Sequence, residues 1–93
     1  MEEIRKTASV DKAMALLECF LETHEPMTLA ELSQSTGLPK SSIHGLLNTM
    51  RVRKMVQQTG RNGKYWLGPL ALELGRLAEE YVEKPEEDEE SEE

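Results

Sequence analysis

A chain of 93 residues, 38% apolar with four aromatics, can build one small domain around a modest core of Leu, Met, Ile and Val, and a second domain is not expected. The single cysteine, Cys19, excludes an internal disulfide framework; no apolar run approaches the roughly 20 residues of a bilayer span, and MEEIRKTASVDKAM lacks a secretory hydrophobic stretch, so a soluble cytoplasmic protein with no membrane partner is expected. The formal charge of -7 hides a segregation, because residues 1–31 carry net -4, residues 32–72 net +6 with no acid at all, and residues 73–93 net -9.

In chain order, residues 1–8 read as an N-terminal arm. Val10, Ala13, Met14, Leu17, Phe20 and Leu21 then fall on one face of a first helix, with Ser9 as its expected N-cap. Cys19 and Ala15 lie away from that face and Leu16 widens it, so this helix is expected to offer a surface to a second subunit as well as to its own core. His24, Glu25 and Pro26 end it. Thr28 with Glu31 three residues later is a capping-box pair that starts a second helix, with Leu29 and Leu32 inward and Gly37 as its stop.

Pro39 suits the first turn of a third helix running to about Lys54, with Ile43, Leu46, Leu47 and Met50 on one face. MVQQT and KYWLG bracket Gly60-Arg61-Asn62-Gly63, a hairpin signal. Pro69 opens a fourth helix with Leu70, Leu74, Leu77 and Tyr81 at helical spacing. The one domain is therefore expected over 9–82, and residues 83–93, with eight acids against Lys84, are expected to form a disordered acidic tail.

Helix, helix, turn, helix, hairpin, helix is the order of a winged helix-turn-helix, a mostly α fold with a small β-hairpin: a three-helix core, a two-stranded wing and a C-terminal linker helix. Ser33, Gly37, Leu38, Ile43 and Leu46 fit its small, turn and anchor positions. At 100° per residue, Ser41, Gly45, Asn48 and Val52 lie opposite the apolar face of helix three, flanked by His44 and Thr49. Such a small, polar, acid-free face suits the major groove, where Asn48 can pair with an adenine edge. Arg51, Arg53 and Lys54 at the helix end, with Arg61 and Lys64 beside the hairpin tip, can meet phosphates.

The stretch TLAELSQSTGLPKSSIHGLLNTM together with YWLGPLALELG resembles the DNA-binding domain of IclR-type transcriptional regulators, over Ser9 to Gly75. The resemblance implies a winged-helix fold, binding of double-stranded DNA, homodimers and control of transcription. Candidate DNA contacts are Lys40, Ser41, Ser42, His44, Gly45, Asn48 and Thr49 on the recognition helix, with Thr28, Arg51, Arg53, Lys54, Arg61, Asn62 and Lys64 on the backbone and at the wing.

Two positions depart from the family pattern. Gly45 stands where members commonly carry Arg after the His, and Lys54 where they carry Gly before the first wing strand. A weaker or different sequence preference is expected from the first. Members also continue into an effector-binding domain, where this chain has its acidic tail, so no small-molecule effector site is expected. The tail reads either as a solubilising end or as a polyanion competing with DNA phosphates.

An alternative function is a protein-interaction winged helix whose tail binds a basic partner or another regulator. Cys19, His24 and His44 share no metal-ligand spacing, and no catalytic arrangement or phosphate-cradling loop is present, so no enzyme activity, metal or cofactor is expected.

Overall fold

The computed structural model describes residues 5–60 and 63–81. Arg61, Asn62 and the acidic tail lie outside the described residues. Within them the order is α1 (Ala8–Thr23), α2 (Leu29–Thr36), α3 (Lys40–Val52), β1 (Val56–Thr59), β2 (Lys64–Leu67) and α4 (Pro69–Ala78). The strands pair antiparallel with Val56 opposite Leu67 and Thr59 opposite Lys64.

Local chemistry accounts for most of these boundaries. The Thr28 hydroxyl accepts from the Glu31 N–H at 3.1 Å while the Glu31 carboxylate accepts from the Thr28 N–H at 2.9 Å, so the capping box starts α2 as expected. His24 closes α1 in the left-handed region at φ 61, donating its N–H to the Phe20 carbonyl at 2.9 Å. Pro69 occupies the first turn of α4, where a missing N–H leaves nothing unpaired.

The core joins α1, α2 and α3 to the hairpin. Leu16 and Phe20 of α1, Leu32 of α2, Ile43 and Leu47 of α3 and Val56 of β1 are shut off from solvent, with Met27, Met50 and Tyr65 nearly so. Burying each such side chain stabilises the fold by about 1.5–3 kcal/mol. Two further contacts hold the wing to the body. Met27 and Tyr65 exchange backbone hydrogen bonds at 3.0 and 2.7 Å, which makes the link between α1 and α2 a one-residue third strand. The Phe20 and Trp66 rings meet edge-on at 5.5 Å, a geometry worth about 0.5–1.5 kcal/mol beyond area burial.

Four expectations are corrected. Thr7, not Ser9, is the N-cap of α1, and its side chain makes no capping bond. The buried face of α1 is Leu16, Cys19 and Phe20, with Ala13 and Leu17 packed alongside, whereas Val10, Met14 and Leu21 are exposed. The helix is thus turned by roughly 80° from its expected phase. Its apolar arc is wider than the core can cover, so packing against α2, α3 and β2 selects which part is buried. Pro39 is the N-cap of α3 rather than part of its first turn. The same helix stops at Val52, before Lys54, because Lys54 takes a left-handed conformation at φ 70.

That residue begins the wing. Met55 donates its N–H to the Met50 carbonyl at 2.9 Å, and the chain returns from β2 so that Gly68 donates to Met55 at 2.8 Å and Leu70 donates to Lys54 at 2.9 Å. A Cβ on Gly68 would lie 2.5 Å from the Lys54 carbonyl oxygen, so only glycine permits this approach.

Gly68→Ala is accordingly expected to destabilise the domain by about 1–3 kcal/mol in urea unfolding, since the clash is with backbone that cannot rotate away. Lys54→Gly should act oppositely, raising stability by roughly 1 kcal/mol by relieving a left-handed non-glycine residue. An unchanged urea midpoint in either variant would contradict the clasp between Lys54 and Gly68.

Candidate nucleic-acid interface

The corner between α2 and α3 is fixed by glycine and by hydroxyls. Gly37 caps α2 at φ 78 and donates its N–H to the Ser33 carbonyl at 2.8 Å. A Cβ there would meet nothing within 4 Å, so conformation and not space selects glycine. The Ser33 hydroxyl donates to the Leu38 carbonyl at 2.7 Å, directly across the turn. Thr36 donates its hydroxyl to the Leu32 carbonyl at 2.8 Å and accepts from the Leu38 N–H at 3.2 Å. Each such bond contributes about 1 kcal/mol. Ser33 is legible in the sequence only as a small residue, and Thr36 carries no signal beyond lying next to the turn glycine.

This corner presents α3 outward. Lys40, Ser41, His44, Gly45, Asn48, Thr49 and Arg51 are all exposed, and so is Val52, which the helical spacing placed on the same outward face. The apolar residues Ile43, Leu47 and Met50 occupy the opposite, buried side. Thr49 donates its hydroxyl to the Gly45 carbonyl at 3.2 Å, so its proton is directed along the helix and its oxygen is left to accept. Ser42 is half-buried and turned toward the start of α1, where it lines a shallow pocket with Thr7, Ser9, Lys12 and Leu46. Lys12 is thereby a cation beside α3 that the charge blocks assign to the acidic first third of the chain.

The electrostatics run along the helix axis. The first turn of α3 holds no acid and its last turn holds Arg51, with Arg53 and Lys54 exposed just beyond. A helix of 13 residues is about 20 Å long, so Lys40 and the Arg51–Lys54 cluster stand on opposite sides of a span wider than the roughly 12 Å major groove.

The other expected sites divide. Lys64 is half-buried at the start of β2 and lines a cleft whose walls also include Glu25 and Glu31. Thr28 is occupied by its cap, with the Glu31 carboxylate already on its N–H. Arg61 and Asn62 fall outside the described residues. Gly45, exposed in the middle of α3, has open space around it.

Elsewhere the chemistry is sparse. Cys19 is buried and its thiol donates to the Ala15 carbonyl at 3.4 Å; burial, then Glu22 and Glu18, push the thiol above its ordinary range, which disfavours the reactive thiolate. Among the described residues no three His, Cys, Asp or Glu side chains gather to hold a metal, and no helix is long and apolar enough to cross a membrane.

Comparison with known proteins agrees with this geometry. The model of the IclR helix-turn-helix domain matches residues 9–60. The chain is 36% identical over 69 residues to the HTH-type transcriptional regulator XynR of Escherichia coli K12, covering 74% of this chain and 27% of that protein. It is 40% identical over 73 residues to the HTH-type transcriptional regulator KipR of Bacillus subtilis 168, covering 77% and 28%. It thus spans about a quarter of the length of the curated relatives it matches. Among solved structures, an IclR family transcriptional regulator from Brucella abortus superposes with a TM-score of 0.75 at 26% identity, over 88% of this chain and 32% of that one. The Agobacterium tumefaciens repressor BlcR gives 0.71 at 26% identity, over 84% and 31%. The capped turn, the outward α3 and the two-stranded wing are therefore features of a shared domain, and this chain belongs to the IclR helix-turn-helix domain family.

Proposed function

We propose that this chain binds double-stranded DNA sequence-specifically and regulates transcription, acting as a homodimer in the cytoplasm and catalysing no reaction. The outer face of α3 carries this reading. It is exposed, short, free of acids and bounded by cations at both ends, which is what a helix needs to lie in a major groove between two phosphate strands. Lys40, Ser41, His44, Asn48 and Thr49 face the bases or the nearest phosphates, and Arg51, Arg53 and Lys54 neutralise the backbone. The regulators and repressors among the relatives support the same role. A protein-interaction module working through the acidic tail gains no support from them.

The dimer reading rests on surplus apolar surface. Val10 and Leu21 of α1 are 59% and 71% exposed, and Leu72 and Leu77 of α4 are 56% and 60% exposed. Neither helix covers these residues with its own domain. Gly75 adds to the case, because it sits inside α4 with nothing within 4 Å of an added Cβ, leaving room for a second backbone. A second copy of the chain would cover both stripes and place two α3 helices on one side of the duplex, at half-sites about one helical turn apart.

Fluorescence anisotropy on duplexes over about 50–200 mM salt tests the DNA interface, where each phosphate neutralised adds roughly 0.9 to the logarithmic salt slope. The double variant R51A/R53A should flatten that slope by about 1.8 and weaken all sequences alike; an unchanged slope would remove these arginines from the interface. Leu77→Glu is expected to convert the chain to a monomer in sedimentation while the far-ultraviolet helical signal is kept, and equal sedimentation of variant and parent would argue against α4 as the dimer surface.

A further inference from the structure

Glycine inside a helix needs a reason, because it weakens the helix relative to alanine. Two reasons are internal to a fold: a left-handed backbone, or a neighbour that a side chain would strike. Neither applies at Gly45. It is the sixth residue of α3, is not among the residues of positive φ, and an added Cβ would meet nothing within 4 Å. The space it leaves opens outward, in the middle of the exposed face.

Apart from His44 beside it, the residues around that space are short. Ser41 lies one turn before Gly45, Asn48 and Thr49 one turn after, and Val52 two turns after, all exposed. The long side chains at Lys40 and Arg51 stand at the ends of the helix. A face built this way brings the α3 backbone itself close to the groove floor, with apolar surface at Gly45 and Val52 and an amide at Asn48. Base edges in the major groove differ in what they ask for. Adenine offers the N7 and N6 pair that an amide matches, thymine offers a 5-methyl group that wants apolar contact, and guanine offers two acceptors that are best met by a long cation. The middle of α3 carries no such cation. Thr49 commits its hydroxyl proton to the Gly45 carbonyl, so its oxygen can accept from an adenine N6 or a cytosine N4 amine but has no proton left for guanine.

We propose that Gly45 is a specificity-determining residue: by letting α3 seat on the base edges, it makes the base pairs beneath the middle and end of the helix A·T pairs, with an adenine on Asn48 and thymine methyl groups against the Gly45 backbone and Val52. This deepens the DNA-binding reading above and rests on it.

Selection from a randomised duplex library, carried out with the full chain and with the Gly45→Arg variant, tests it. The parent chain should enrich adenine and thymine at the central contacted positions of each half-site. Replacing one of those thymines with uracil should weaken binding roughly 4-fold, the worth of one methyl group removed from water. Gly45→Arg, which has open space to occupy and improves helix propensity, should raise the thermal midpoint by a few degrees while shifting enrichment toward guanine. Guanine enrichment by the parent, identical selected sequences for parent and variant, or indifference to uracil would each overturn the assignment while duplex binding itself stands. Failure to retain any duplex would overturn it together with the DNA-binding reading, so the two failures are distinguishable.

Discussion

The carbonyl of Lys54 is the point on which the arrangement of α3, wing and α4 turns. The chain leaves α3 through this one left-handed residue, and after the hairpin it returns so that Leu70 donates to the same carbonyl while Gly68 donates to Met55. The return is possible only because position 68 has no side chain to strike the Lys54 carbonyl. Two backbone hydrogen bonds and one tight contact thus tie the end of α3 to the start of α4 and give the β-hairpin a fixed exit direction. The cations at 51, 53 and 54 ride on that junction. Their placement relative to the helix face therefore depends on backbone geometry more than on their own flexible side chains.

Around the junction the domain holds together with little to spare. The enclosed core is small, and among the described residues it contains no buried polar or charged side chain. Stability is supplemented by local devices: a complete capping box at Thr28 and Glu31, hydroxyl bonds from Ser33 and Thr36 across the turn, and the Met27–Tyr65 bridge that adds a third strand to the wing. Against this economy, the apolar residues left outside on α1 and α4 stand out. Val10, Met14, Leu21, Leu72 and Leu77 lie outside that core and are about half or more exposed.

The charge distribution completes the functional logic. A chain with a pI near 4.9 would be repelled by DNA if its charge were spread evenly. Here the acids lie before residue 32 and after residue 72, and the segment between them forms the corner, the recognition helix and the wing. Segment charge and total charge thereby have opposite sign. The structure also refines the picture, since Lys64 shares a cleft with Glu25 and Glu31, whereas Lys12 lines a pocket with Ser42 of α3.

Most of the fold was legible in the letters because its signals are local. The capping box, the turn glycine, the hairpin and the proline that opens α4 each act through neighbours a few residues away, and each holds as read. So does the outward face of α3, since Ile43, Leu46, Leu47 and Met50 fall together on the other side and fix the phase. What the letters could not decide was the phase of α1, the conformation of Lys54 and the surroundings of Lys64. The apolar arc of α1 is wide enough to bury in more than one rotation, and only contact with α2, α3 and β2 selects Leu16, Cys19 and Phe20. Lys54 is left-handed because a strand must begin there and a distant glycine must reach its carbonyl. Sequence alone determines what short-range hydrogen bonding and helical periodicity can fix; tertiary structure decides wherever two segments far apart in the chain compete for the same space.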